Sequence, residues 1–407
     1  MMASMLGLLK SISLFGLAGE TVEVEVDSHR GLPKFAIVGL GDAAIQESKE
    51  RIRSAIKNSG FTFPNGIVTV NLAPADLRKH GPRFDLPIAL GILHRSGQIQ
   101  LPDDIDTHIY VGELSFTGEL RGINGILPTA SEASLKGFKT MFVPLENADE
   151  ASLIKEIDVY GISNLQILCE HLTGSEILKP TPKKQLTNLS LHQMGEHDMS
   201  HIKGNEHAKR AMEIAAAGSH NLLLSGPPGS GKTMLAQSIS TILPELTVPE
   251  ALEITKIHSV AGLTNDKLSV ITKRPFRTVH HTASNIAIVG GGNPPKPGEI
   301  SLSHRGILFL DEFPEFPSKT LEVLRQPLED GQVTISRAAG SCTYPAQFML
   351  VAAMNPTPCG YDIHDEKCSS TPFEIQRYQN KISGPLLDRI DLQIHVPRVD
   401  FEKLKNG

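Results

Sequence analysis

NLLLSGPPGSGKT, residues Asn221 to Thr233, is the stretch whose reading decides the fold. Leu222, Leu223 and Leu224 form a short apolar run, the mark of a strand buried on both faces. The loop behind them carries Gly226, Gly229 and Gly231, with Pro227, Pro228 and Ser230 between. A phosphate chain needs many N–H donors at close range; glycines let the backbone wrap it, and the next helix aims its N-terminus at the anion. MLAQSIS supplies that helix. Lys232 is then placed to reach the β- and γ-phosphates, and the Thr233 hydroxyl to ligate Mg²⁺. ATP and Mg²⁺ are the ligands expected at Gly226–Thr233, in a P-loop α/β fold.

Two further apolar runs end in polar residues. GILFLDEF ends in Asp311 and Glu312. Asp311 suits the hydration shell of Mg²⁺ and Glu312 the polarising of an attacking water, although acidic residues also simply cap a following helix. FMLVAAMN ends in Asn355, expected to orient that water near the γ-phosphate, or else to make a turn before Pro356. SGPLLDRIDL places Arg389 after a short helix. A permanently charged, forked donor suits a γ-phosphate in its transition state. Arg389 stands too far along the chain from Asn355 to serve its own site easily, so it is expected to reach a neighbouring subunit's ATP. The alternative is a surface ion pair with Asp388 or Asp391.

Outward from this core, the 407 residues are enough for two or three domains. GNEHAKRAMEIAAAG reads as a helix ending at Gly218. Lys179 to His201 has two prolines and no apolar period, as a linker does. Upstream, Val22, Val24 and Val26 alternate with Glu23, Glu25 and Asp27, a half-buried strand. Asp42 caps a helix running to Asn58 and closed by Gly60. Ile67–Pro74, LKGFKTMFVP and IDVYGI read as strands, and Asp85–Leu93 as an apolar helix. The expected plan is an α/β domain over 1–178, a linker over 179–201 and the nucleotide-binding core over 202–407.

Composition limits the classes. Hydrophobic residues are 40% and charged residues 21%, as in a globular protein. No stretch approaches the roughly 20 apolar residues of a membrane span. The opening MMASMLGLLK has no basic region before its apolar run, so it is expected to fold rather than to act as a signal peptide. Four cysteines are too few for a disulfide framework, and the cytoplasm is the default. A net charge of −6 gives no argument for nucleic acid and none against, since a ring can be acidic outside and basic in its pore.

Taken together, RPFRTVHHTASN, GGGNPPKPGEISLSHRGILFLDEFPEF, LRQPLEDGQVTISRA, YPAQFMLVAAMNP and SGPLLDRIDL resemble the magnesium-chelatase-like AAA+ ATPases of the YifB/ComM family, almost without a gap from Gly204 to Pro397. GLPKFAIVGLGDAAIQESKERIRSAIKNSG and KHGPRFDLPIALGIL are similar to that family's amino-terminal domain, which has the fold of the Lon protease domain (ribosomal-protein-S5-like). Lon-type proteases use a Ser after Gly-Pro and a Lys further on. Here Gly81-Pro82 is followed by Arg83, and Asn124-Gly125-Ile126 by Leu127, so the resemblance implies the fold without its chemistry. It also implies a helical lid after the finger, which is not expected in a sequence ending at Gly407. The implied activity is ATP hydrolysis by a homo-oligomer, a hexamer. It would move along single-stranded or branched DNA and drive branch migration during natural transformation.

Several features stay open. Relatives carry a cysteine group between the Asn sensor and the finger. Only Cys359 and Cys368 remain here, with His364 between, too few for tetrahedral zinc and more in keeping with a plain loop. His280 and His281 face DNA or bond within their own segment. QVTISRAAGSCTYPAQF has two strand-like runs around Ala338 to Ser341, which in this clade look like the hairpin that projects into the ring's pore. Arg337 is the cation such a hairpin would offer a phosphate backbone, or else an ordinary surface charge. Rival functions are a chelatase subunit, an ATP-dependent protease and a protein-remodelling chaperone.

Overall fold

The computed structural model describes residues 7–184, 198–264, 270–337, 340–363 and 365–398. His364, Ala338, Ala339 and positions 185–197 of the expected linker lie outside them. The chain divides into two compact units: 1–185 together with 258–270, and 186–257 together with 271–407. Residues 258–270, assigned by the sequence reading to the later part, thus cluster with the first.

In the first unit, β1 (Gly7–Phe15), β2 (Ala18–His29), β3 (Lys34–Val38) and β4 (Ile67–Ala73) form a sheet of order β1-β2-β4-β3. β2 runs antiparallel to β1 and β4, whereas β3 is parallel to β4. The alternation predicted for β2 holds: Val22, Val24 and Val26 are fully buried. The helix Ala43–Asn58 makes the β3–β4 crossover. Asp42 accepts from Ile45 N at 3.1 Å to start it, and Gly60, at φ 83°, ends it. Its buried residues Ile45, Ile52, Ala55 and Ile56 fall on one helical face, which seals the sheet. Two smaller sheets follow. β5 (His108–Tyr110) pairs with β8 (Thr140–Pro144), and β8 with β9 (Asp158–Ile162), all parallel. β6 (Glu113–Leu114) and β7 (Leu120–Arg121) form an antiparallel ribbon.

Arg83 turns inward in this unit. Its guanidinium donates to Ile12 O (3.4 Å), Thr129 Oγ1 (3.3 Å) and Asn124 O (3.0 Å), and burial lowers its pKa to about 10. Leu127 is fully buried near the start of the helix Ile126–Leu135. Asp85, fully buried, takes Arg51 Nε at 3.0 Å; burial still raises its carboxyl to about 6.

The second unit is built on a five-stranded parallel sheet. Its strands are β10 (Leu222–Ser225), β11 (Phe276–Val279), β14 (Ile307–Leu310), β17 (Met349–Met354) and β18 (Leu392–His395), in the order β11-β14-β17-β10-β18. Ile307, Leu308, Phe309, Leu350, Val351 and Leu222 have no exposure, as continuous apolar runs in a parallel sheet require. The short strands β12 (Gly290–Gly291) and β13 (Lys296–Pro297) pair antiparallel, as do β15 (Gln332–Arg337) and β16 (Gly340–Pro345). Among the described residues no helix is long and apolar enough to cross a membrane.

Candidate active site

Parallel strands deliver their carboxyl ends to one edge, and chain order in this sheet brings three of them together there. Ser225 is level with Met354, and Leu310 with Ala352. The loop after β10, Asp311 after β14 and Asn355 after β17 therefore share that edge. Gly226 begins the loop against the end of β18, where any Cβ would collide with Val396 O. Gly229 and Gly231 take left-handed φ values of 77° and 89°, which side chains disfavour. Pro227 and Ser230 are buried; Pro228 and Gly229 are exposed.

Lys232 opens the helix Lys232–Ser238 and is 9% exposed. Its Nζ donates to Gly226 O (2.7 Å), Pro227 O (3.0 Å) and Asn355 Oδ1 (3.3 Å). Burial lowers the pKa of this amine, and Asp311 opposes the shift. Thr233 Oγ1 donates to Asp311 Oδ2 at 3.0 Å. Two oxygen donors side by side suit a hard cation such as Mg²⁺, which is bound through oxygen. Among the described residues the buried Ser230 hydroxyl has no hydrogen-bond partner.

Glu312 is exposed and held at φ 53°. Beside it stands His281, whose Nδ1 lies 3.1 Å from Glu312 Oε2 without the alignment of a hydrogen bond. The His281 ring also lies 4.2 Å from that of His280, tilted by 34°, and meets Phe316 edge-on. His280 instead bonds Thr282 Oγ1 at 2.9 Å. Thus one histidine bonds within its segment and the other faces the acidic pair. Register carries a hint: β11 and β14 are paired, so the residues after Val279 run beside those after Leu310.

Arg389 lies elsewhere. Leu222 pairs with Leu392, and Arg389 precedes β18, so it occupies the amino-terminal edge of the sheet, away from the loop. Its Nη2 pairs with Glu329 at 2.9 Å, and its carbonyl accepts from Asn221 Nδ2. The partner is Glu329 rather than the Asp388 or Asp391 weighed from sequence; Asp391 accepts from Asn221 N. A cavity of about 480 Å³ at this edge is lined in part by Asn221, Glu250, Arg274, Arg305 and Glu329.

Arg337 ends β15, and its guanidinium lies over the glycine-rich turn between β12 and β13: a Cβ on Gly291 would stand 2.9 Å from Nη2. Lys296, on β13, is exposed beside it. Tyr344 Oη donates to Pro295 O at 2.9 Å and joins the two hairpins. Cys359 and Cys368 approach to 2.9 Å. Among the described residues no cluster of three or more His, Cys, Asp or Glu suited to a metal occurs.

Similarity to known proteins follows the same residues. The family described as "Magnesium chelatase, subunit ChlI" matches residues 198–404, and "Subunit ChlI of Mg-chelatase" matches 24–147. Competence protein ComM of Haemophilus influenzae is 45% identical over 405 residues, covering 98% of this chain and 78% of its own. YifB of Escherichia coli is 44% identical over 393 residues, 96% of this chain and 76% of its own. The chain belongs to the YifB/ComM family of magnesium-chelatase-like proteins. The mixed α/β fold with a parallel sheet agrees with the AAA+ ATPases to which this family belongs. A more distant likeness, 21% over 351 residues, 76% of this chain and 39% of the other, joins it to the DNA replication licensing factor Mcm6 of Drosophila melanogaster.

Proposed function

We propose that this chain is the subunit of a cytoplasmic, ring-forming ATPase, a hexamer, that moves on single-stranded or branched DNA and promotes branch migration in recombination during natural transformation. The observation that carries the ATPase reading is the shared edge of Lys232, Thr233, Asp311, Glu312 and Asn355. When ATP binds, the Lys232 ammonium would exchange its hydrogen bonds to the Gly226 and Pro227 carbonyls for bonds to the β- and γ-phosphates. Thr233 and Asp311 would hold Mg²⁺, which when bound would supply neutralising charge to the phosphates. Glu312 takes the proton of the attacking water and Asn355 orients that water. Arg389, remote from its own loop, completes the site of a neighbouring subunit.

The DNA reading is supported by the two joined hairpins that bear Arg337 and Lys296, cations suited to a phosphate backbone. It draws also on the competence protein and the licensing factor among the relatives. The first unit has the Lon-like fold without peptidase function, since Arg83 and Leu127 replace nucleophile and base. A chelatase-type ATPase subunit is the second reading, favoured by the description of the matching family. The deciding measurement is ATP turnover with single-stranded DNA, four-way-junction DNA or neither, at several salt concentrations. Turnover raised by DNA, more weakly as salt rises, is expected. No binding and no stimulation at low salt would overturn the DNA reading.

A further inference from the structure

Four thiols are present, and their surroundings divide them. Cys169 and Cys342 are buried, 2% and 6% exposed, and burial pushes both thiols up, Cys169 to about 12. Such thiols stay protonated and inert. Cys359 and Cys368 are partly exposed, nine positions apart, with Sγ atoms at 2.9 Å. Burial pushes Cys359 up. Hydrogen bonds from Cys368, Ser370, Thr357 and the Tyr361 backbone outweigh it and hold the thiol at about 5, in the range of thiols that react as thiolates.

The loop that carries the pair touches the nucleotide site twice. It leaves β17 through Asn355, which accepts from Lys232. Thr357, fully buried, bonds Tyr361 O at 2.6 Å and contacts Cys359 Sγ at 3.0 Å. The next residue, Gly360, is buried at φ 88° so close to the phosphate loop that a Cβ there would stand 3.3 Å from Pro228 Cδ. Arg398 spans the same gap. It donates to Pro228 O at 3.3 Å while its guanidinium lies 5.7 Å from the centre of the Tyr361 ring.

We infer that Cys359 and Cys368 form a reversible disulfide that weakens nucleotide binding at the neighbouring phosphate loop. An S–S bond needs about 2.05 Å, so the sulfurs close by less than about 1 Å. The co-reactant is a low-molecular-weight disulfide. The Cys359 thiolate attacks one of its sulfurs, forming a mixed disulfide and expelling one thiolate. Cys368, losing its proton, then attacks Cys359 Sγ and expels the second. Two protein thiols are oxidised and one small disulfide is reduced to two thiols. The closed loop pins Gly360 against Pro228 and resists the opening that frees Lys232 from the Gly226 and Pro227 carbonyls.

The effect on affinity rests on the nucleotide-site reading; the disulfide does not. The test treats the full chain with oxidised glutathione. Peptide masses locate the bond, and binding of a fluorescent ATP analogue is measured before oxidation, after it, and after dithiothreitol. A loss of two hydrogens on the Cys359–Cys368 peptide is expected, with a Kd raised about fivefold or more, the low end of ordinary coupling between sites, and restored by reductant. Cys359→Ser and Cys368→Ser should each bind as the reduced protein does under both conditions. Stable glutathione adducts without the internal bond would overturn the proposal. So would unchanged affinity in the oxidised protein, or tightly held zinc on the reduced pair. No binding by the reduced protein would instead overturn the nucleotide-site reading.

Discussion

Replacing Lys232 by alanine removes a side chain that bridges the phosphate loop and Asn355 at the end of β17. Its amine bonds two neutral carbonyls at 2.7 and 3.0 Å and an amide oxygen at 3.3 Å. On the proposed function, binding ATP would exchange the two carbonyls for phosphate oxygens. A bond between charged partners contributes about 1 kcal/mol or more beyond a neutral one, so two exchanges contribute about 2–3 kcal/mol. Lys232→Ala should therefore raise the Kd for ATP roughly 30- to 150-fold. Isothermal titration with a non-hydrolysable analogue reads this directly, and circular dichroism reports whether the variant is folded. A folded variant with a Kd within about threefold of the wild type would refute the reasoning, since that is less than one charge-assisted bond.

Glu312→Gln should leave ATP affinity near normal and cut turnover by about 10²–10⁴, the usual contribution of a general base; phosphate release at saturating ATP measures it. Arg389→Ala, mixed with Lys232→Ala in rings shown to co-assemble, should recover turnover that neither has alone, because arginine fingers contribute about 10³–10⁵ in rate; no recovery would make Arg389 structural. Asp85 should titrate near 6 in carbon-detected NMR. Burial raises its folded pKa above the ordinary carboxylate value of about 3.9. Its contribution to stability is therefore full below the unfolded pKa and lost as pH rises through about 6. The urea midpoint of wild type relative to Asp85→Asn should fall over that window, and a flat difference would contradict the assignment.

The phosphate loop and its three strands were legible because their signals are local. Glycine, lysine and threonine stand at spacings that a phosphate chain imposes, and strands buried on both faces are apolar throughout. Asp42 and Gly60 marked a helix for equally local reasons. What stayed hidden depends on how distant segments meet. Glu329 is far from Arg389 in sequence, and only the packing of the sheet's amino-terminal edge joins them. His281 reaches Glu312 through the pairing of β11 with β14, which no periodicity announces. Nothing around Gly81-Pro82-Arg83 told that the guanidinium would turn inward onto Ile12, Asn124 and Thr129. An Arg on a loop is ordinarily read as a surface charge.

The placing of Arg389 at one edge of the parallel sheet and the phosphate loop at the other bears on symmetry. If the cation of one chain serves the loop of the next, the two contact surfaces are different patches on opposite ends of one domain. A twofold pair, which joins a patch to its own copy, cannot satisfy both. Contact must be head-to-tail, and only closure of the last subunit on the first leaves no donor or acceptor unused. Catalytic competence would then be a property of the junction, with as many active centres as neighbours in contact and none in a lone chain.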